Sequence, residues 1–156
     1  MASRLDDALT RDLSDVDARI RASFARQTMM TTLGATIAAV RAGEVEIVLP
    51  FSAGILQQHG FIHAGAVSAI ADTACGFAAL TAMPREAAVL TTEFKINLLA
   101  PARGERLRAI GRVVRPGKKL VITLGEVFAE EGGASKQVAL ITATMMVVDT
   151  GTGLKD

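Results

Sequence analysis

The feature that most constrains this chain is a carboxylate inside a segment that otherwise has no polar face. From His63 to Ala82 the sequence reads HAGAVSAIADTACGFAALTA, small and apolar almost throughout, with Asp72 near its middle. A helix that is apolar on all sides is a buried one, and burying a lone carboxylate is costly unless it is paired, hydrogen-bonded or neutralised. Asp72 is therefore either functional or held by a strong partner. The segment approaches membrane-spanning length. Its central acid, and its excess of Ala over Leu and Ile, read instead as the buried helix of a soluble fold. Directly upstream, Gln57-Gln58-His59-Gly60-Phe61-Ile62-His63-Ala64-Gly65 forms a polar, glycine-containing entry to the same helix.

Around that helix the pattern is mostly extended. Residues 33–41 and 44–49 read as two strands about an Ala42-Gly43 turn, closed by Pro50. Residues 90–99 form an extended run ended by Pro101. Residues 106–115 and 118–129 read as strands joined by Pro116-Gly117, a pair that suits the centre of a type II turn. Gly132-Gly133 makes the next turn and residues 137–148 the last strand. Leu9, Leu13, Val16, Ile20 and Phe24 recur at steps of four and three, which predicts an amphipathic helix over about 9–28. Ser14 and Asp15 are candidate caps for a helix beginning there. Residues 150–156 read as a loose tail. Short connections in the second half imply antiparallel pairing. The expectation is an α+β fold in one domain spanning 1–156, with a core over about 24–149 and a curved antiparallel sheet around one long helix.

Composition narrows the partners. A chain of 156 residues suits a single core. Only 4% of residues are aromatic, with no Trp or Tyr, which argues against recognition of nucleic acid by base stacking. Net charge is only +1, so steering toward polyanions is weak. Yet residues 103–119 carry Arg103, Arg106, Arg108, Arg112, Arg115, Lys118 and Lys119 against Glu105 alone, so a compact anionic ligand fits better than a long one. Cys75 is the single cysteine, which permits no internal disulfide and suits a reducing, cytoplasmic setting; its surroundings suggest packing rather than reactivity. The first residues are rich in Asp and Arg and lack the apolar core of a signal peptide. Two histidines and one cysteine show no metal-ligand spacing, and no membrane partner is expected.

The helix entry and the acid suggest acyl-transfer chemistry. A helix start presents unpaired N–H donors and partial positive charge, which can hold a carbonyl oxygen as it becomes an oxyanion. Ala64 and Gly65 supply the donors. Asp72 can act as general base for water or as nucleophile, and Thr91 can orient the water or the carboxylate. No His or Cys lies near enough in sequence to complete a hydrolytic triad. Ala64 and Asp72 are eight residues apart, about 12 Å along a helix at ~1.5 Å per residue. One substrate carbonyl cannot touch both within one chain. If both act on it, the site needs two chains, and two antiparallel central helices in a two-fold dimer would create two such sites.

The runs QQHGFIHAGAVSAIADTACGFAAL, TTEFKINLLAPA and GRVVRPGKKL also resemble the PaaI-like hotdog thioesterases, over roughly residues 24–149. The resemblance implies a hotdog fold and an acyl-CoA thioesterase working as a homodimer or homotetramer, with no metal or redox cofactor. It implies that Asp72 is base or nucleophile and that the Ala64 N–H polarises the thioester carbonyl. Gln57 would contact the thioester or the water, and Thr91 would support the water across the subunit interface. Two positions depart from the family pattern. Gln57 stands for the usual Asn, with Gln58 beside it as a competing assignment, and Ala64 stands for the usual first Gly of the helix. His63 is either a helix cap or a catalytic group. His59 is a loop residue or touches the leaving group, and Gly60 and Gly65 permit tight backbone geometry. Arg112, Arg115, Lys118 and Lys119 surround one hairpin and are candidates for the CoA phosphates. Two rival readings remain. One is a non-catalytic acyl-CoA binding or sensing protein on the same fold. The other is a hotdog hydratase or dehydratase, which the lack of a His after Asp72 disfavours.

Overall fold

In the computed structural model, residues 13–149, 151, 153 and 154 are described. Leu9 of the predicted amphipathic stripe, and four positions of the predicted tail, lie outside these. The element order is α1 (Leu13–Phe24), α2 (Thr28–Leu33), β1 (Thr36–Arg41), β2 (Glu44–Pro50), a 3-10 turn (Ala53–Ile55), α3 (Ala64–Thr81), β3 (Ala88–Leu98), β4 (Arg106–Pro116), β5 (Leu120–Glu131) and β6 (Ala134–Val148). All six strands form one antiparallel sheet in the order β1-β2-β4-β5-β6-β3. The sheet curves around α3, the hotdog arrangement.

Three local expectations change. The predicted 9–28 helix ends at Phe24, and Ser14 and Asp15 lie within its first turn instead of capping it. The predicted strand from residue 33 begins only at Thr36, because Thr28–Leu33 form a separate helical turn. Gly34 ends that turn in the left-handed conformation (φ 75°), its N–H directed to the carbonyls of Met30 and Thr31, a conformation nearly reserved for glycine. Threonine-rich and short, this helix carries little propensity or periodicity that a sequence reading could detect. Finally, Gly117 does not take the positive φ that a type II turn demands. Its value is closeness instead: a Cβ there would collide with the carbonyl oxygen of Leu120.

The hydrophobic pattern is otherwise obeyed. Along α1, Ile20 is fully buried and Val16 and Phe24 pack on the core, as a four-residue spacing on one face requires. In β2, Val45, Ile47 and Leu49 alternate inward. They face Ile70, Ala74 and the rest of a core shared by helix and sheet. The helix sits unusually close to the strands. A Cβ at Gly111 would lie under 3.0 Å from the backbone of Ala74 and Cys75, and one at Gly125 would lie 2.8 Å from Cys75 Sγ and 2.5 Å from Ile141. Glycine on the sheet and alanine on the helix thus set the distance between the layers.

Two surfaces are left uncovered. Along α3, Gly65 is exposed and Ser68, Ala69, Asp72 and Thr73 are half-buried, a stripe at helical spacing that the described residues leave partly open. Next to it, β3 is an edge strand whose central residues are exposed on both faces. It carries the apolar Leu90, Phe94 and Leu98 in the open, and long unprotected apolar edges are a liability unless something pairs with them.

The tight approach of helix and sheet predicts that Gly111→Ala lowers unfolding free energy in urea by about 2 kcal/mol or more, since the added methyl meets backbone that cannot yield. A change below about 0.5 kcal/mol would show that the layers are not locked at this point.

Candidate active site

The entry loop is built to deliver α3 in a fixed direction. Ser52 caps the 3-10 turn, its Oγ accepting from the Gly54 N–H at 3.3 Å. The chain then makes a tight hairpin in which the Gln57 N–H donates to the Phe61 carbonyl at 2.8 Å and the Gly60 N–H to the Gln57 carbonyl at 3.0 Å. Gly60 takes the left-handed φ of 81° that closes such a three-residue loop. The Gln57 side-chain oxygen accepts from the His59 N–H within the hairpin. The Ile62 N–H bonds to Ala102 and the His63 N–H to Ile55, each at 2.8 Å, so the hairpin is tied to both flanks.

His63 is the N-cap of α3, and its Nδ1 accepts from the Gly65 N–H at 2.8 Å. This settles what each donor can do. Gly65 spends its N–H on the cap and is not available to a substrate. The Ala64 N–H donates to no described group. With Nδ1 engaged as acceptor, His63 retains only Nε2 for other chemistry.

Gln57 and Ala64 open into a cavity of about 410 Å³, whose apolar wall includes Phe61, Val67, Leu98 and Val138. Gln58 and His59 sit exposed at the hairpin tip and line neither this cavity nor the one beside Asp72. Of the paired amides, it is thus Gln57 that faces the helix start. A neighbouring cavity of about 360 Å³ shares Phe61, Pro101 and Val138 with the first and adds Arg103 and Lys136, with Glu131 on the same wall. Arg103 was visible in the sequence only as one of many cations, and nothing marked Lys136.

Asp72 lies two helical turns further on and opens into a different, smaller cavity of about 100 Å³, lined also by Gln27, Thr73, Gly76, Phe77, Val89 and Thr91. The two cavities have no lining residue in common. Thr91 Oγ1 donates to Asp72 Oδ1 at 2.9 Å and also approaches Met145 Sδ at 3.4 Å. A bulge at Thr91–Glu93, where Thr92 has no partner opposite in β6, lies at this point, and bulges re-aim side chains beside sites. Asp72 makes no ion pair with any described residue. Burial pushes its carboxyl above the ordinary carboxylate range, and the Thr91 hydroxyl opposes that shift only in part. Gln27 enters from the α1–α2 junction, its side-chain oxygen 3.5 Å from Thr73 Oγ1. It sat inside the predicted first helix, and no local motif could have singled it out.

The basic hairpin is placed elsewhere. Arg112 lies between Glu44 and Glu126, at 2.7 Å from each, and its charge is already matched. Arg106 and Arg108 pair with Glu130. Arg115, Lys118 and Lys119 are exposed and make no ion pair with a described residue. Their hairpin lies at the C-terminal end of α3, where Gly43 bonds both Val113 and Thr81, far from Ala64 in the same chain. Cys75 is buried against Thr123, and its thiol is pushed up to about 12 by burial, so it packs and does not react. Among the described residues, no three His, Cys, Asp or Glu side chains converge in a way that would hold a metal.

The model of the family described as the thioesterase superfamily matches residues 59–136. A crystal structure of a thioesterase family protein from Silicibacter pomeroyi superposes with a TM-score of 0.84 and 46% identity, covering 86% of this chain and 98% of that one. The Escherichia coli PaaI protein of the phenylacetic acid degradation operon superposes at 0.78, with 21% identity over 87% of this chain and 95% of that one, a likeness of fold. A "putative esterase" of Halobacterium salinarum is 30% identical over 111 residues, 68% of this chain and 73% of its own. Residues 59–136 include Ala64, Asp72 and Thr91, while Gln57 and Gln27 lie before the match. With its hotdog architecture, this chain belongs to the thioesterase superfamily.

Proposed function

We propose that the protein hydrolyses acyl-CoA thioesters to a free acid and CoA, at sites formed between two copies of the chain. One observation carries the reading: a half-buried carboxylate with no ion pair, and a helix N–H with no acceptor, among the described residues lie two turns apart on a rigid rod and open into separate cavities. A site that uses both must borrow one from a second copy. The exposed stripe of α3 and the open edge of β3 supply a surface for that copy, with antiparallel pairing of the two β3 edges and the two central helices side by side. In that arrangement the Ala64 N–H of one copy faces Asp72 of the other.

The chemistry follows from the two groups. The thioester carbonyl oxygen accepts from the Ala64 N–H, which strengthens as negative charge develops on oxygen. Asp72 either removes a proton from the attacking water or attacks the carbonyl carbon itself, giving an anhydride that water then opens. In the first route the tetrahedral centre collapses with loss of the thiolate, and Asp72 returns to the sulfur the proton it took from water. In the second the thiolate leaves as the anhydride forms and takes its proton from solvent, and the water that opens the anhydride adds its hydroxyl to a carbonyl carbon and frees both carboxylates, its protons going to solvent. Thr91 holds the carboxylate in line, and Gln57 contacts the thioester or the water. His63 contributes by fixing the helix start. Of the cations, Arg103 and Lys136 lie beside the cavity that Gln57 lines. Arg115, Lys118 and Lys119 reach a bound CoA only from the second copy. Arg112 is withdrawn as a phosphate ligand, since binding there means breaking two carboxylate contacts.

A non-catalytic binder has no use for a desolvated, unpaired acid. Asp72→Asn is expected to lower kcat for thiol release by about 10²-fold or more. Because an elevated carboxyl pKa means the folded state binds the proton more tightly than the unfolded state, ionisation near neutral pH opposes folding. The same variant should therefore keep or raise Tm. Undiminished thiol release would remove Asp72 from the mechanism, and tight acyl-CoA binding with no release by the wild type would favour the sensing protein. The pH profile gives an independent check. Activity needs the ionised acid, so kcat/KM should fall as pH drops through a pKa above the usual aspartate value. Thr91→Val removes the hydrogen bond that holds it down and should move that acid limb to higher pH; an unmoved limb would separate Thr91 from the titrating group.

A further inference from the structure

We infer that His63 is a positioning residue of this site, and that it holds the Ala64 donor in place only while its imidazole is neutral. One proton on Nδ1 then switches the donor off. The inference rests on the thioesterase reading above and adds to it a second titrating group, on the donor half of the site.

The Ala64 N–H sits inside a closed ring of bonds. From Nδ1 of His63 the ring runs through the side chain to Cα, along the peptide that carries the Ala64 N–H, and across Ala64. The hydrogen bond from the Gly65 N–H to Nδ1, at 2.8 Å, closes it. Nδ1 accepts that bond with its lone pair, so the imidazole is neutral and its proton is on Nε2. Protonation turns Nδ1 into a donor facing a donor, and places positive charge at the positive end of a helix. The ring then opens, and the peptide between residues 63 and 64 loses the bond that fixes its direction. The rest of the helix start is held separately: the His63 N–H donates to Ile55, and its carbonyl accepts from Ala66 and Val67. The proton therefore disturbs the donor and spares the fold.

Gly65 shows that the site is shaped for an imidazole cap. Glycine inside a helix is less favourable than alanine, and the backbone does not call for it here, because its φ is not positive. A Cβ at Gly65 would meet the imidazole, 3.0 Å from Nδ1 and 3.4 Å from Cε1. Glycine thus gives the ring room to seat against the first turn. The usual caps, Ser, Thr, Asn and Asp, are smaller, and none of them changes charge between about pH 5 and 8, as histidine does. The segments bonded to His63, residues 53–62 and 99–103, carry His59 and Arg103 but no carboxylate, and the acid of α3 is two turns away. In the proposed assembly the acid that faces this helix start is Asp72 of the other copy. The active form is then the one in which both groups have lost their protons, and their titrations are coupled.

The test follows kcat/KM against pH in the wild type, His63→Asn and His63→Ala, with the most rapidly cleaved of acetyl-, hexanoyl- and benzoyl-CoA. Hydrogen-exchange protection of the wild-type Gly65 amide is measured by NMR over the same range, which needs no variant. Above about pH 8, where histidine is neutral, His63→Ala should lower kcat/KM by roughly tenfold, less than outright removal of an oxyanion donor. His63→Asn, which caps without titrating, should recover most of that loss. On the acid side the wild-type limb should steepen toward two protons, and the His63→Asn limb should carry one proton fewer. The Gly65 amide should lose its protection as His63 is protonated, while that of Ile70 in the same helix persists. An Asn limb as steep as that of the wild type overturns the inference and leaves thioester hydrolysis intact. So does an Asn variant as impaired as the Ala variant at high pH, or Gly65 protection that ignores pH. Failure of the wild type to release thiol from any of the three thioesters would instead overturn the underlying reading, and this inference with it.

Discussion

The contact between α3 and the inner face of the sheet is the constraint from which the rest follows. At Gly111 and Gly125 the strands approach the helix until only hydrogen fits between them, and Ala74 and Cys75 meet them with small side chains. A helix held that closely can neither bend nor slide without collision. The separation of Ala64 and Asp72, about 12 Å along the axis, is therefore a fixed length of the molecule. The fixed length turns two ordinary chemical groups into a requirement for a second chain. A looser helix could fold one group toward the other; this one cannot.

The same rigidity explains how an uncompensated acid is tolerated. Asp72 lies on the one stripe of α3 that the sheet leaves open, so its carboxylate is half-desolvated but not sealed in. Thr91 gives it one hydrogen bond, from a strand bulged at that position. This is enough to orient the group and too little to bring its pKa back to normal. A full ion pair would stabilise the fold further and silence the base. The exterior of the sheet shows the contrast: Glu44, Glu126 and Glu130 are each met by arginine.

Much of this was legible in the sequence because the signals were periodic or chemically incongruous. The central helix, the strands of the second half and their antiparallel pairing followed from hydrophobic runs and turn residues. Asp72 stood out because apolar helices rarely carry an acid. Thr91 was within reach only by its position after the helix, and the family resemblance gave Gln57 its place. The losses have physical causes. Thr28–Leu33 forms a helix through its cap at Gly34 and the burial of Met30, neither of which alters local periodicity. Gly117 was assigned to a turn type by its neighbour proline, whereas crowding against Leu120 is what excludes a side chain. Arg112 reads as a phosphate candidate because sequence lists charges without their partners, and it has two. Gln27 reaches the cavity of the acid only through tertiary packing.

The claim on which the account stands is that each site takes its acid from one chain and its N–H donor from another, and subunit mixing tests it most directly. Ala64 is the first residue of α3, and His63 before it is extended (φ −61°, ψ 139°), so proline fits at 64 and removes the N–H without disturbing the helix. Neither Asp72→Asn nor Ala64→Pro alone should hydrolyse thioester appreciably. Unfolded together and refolded as mixed assemblies, they should recover about a quarter of wild-type activity, because half of the pairs are mixed and each mixed pair rebuilds one of two sites. Mixed assemblies that form, yet stay as inactive as their parents, would place acid and donor on the same chain and contradict the account.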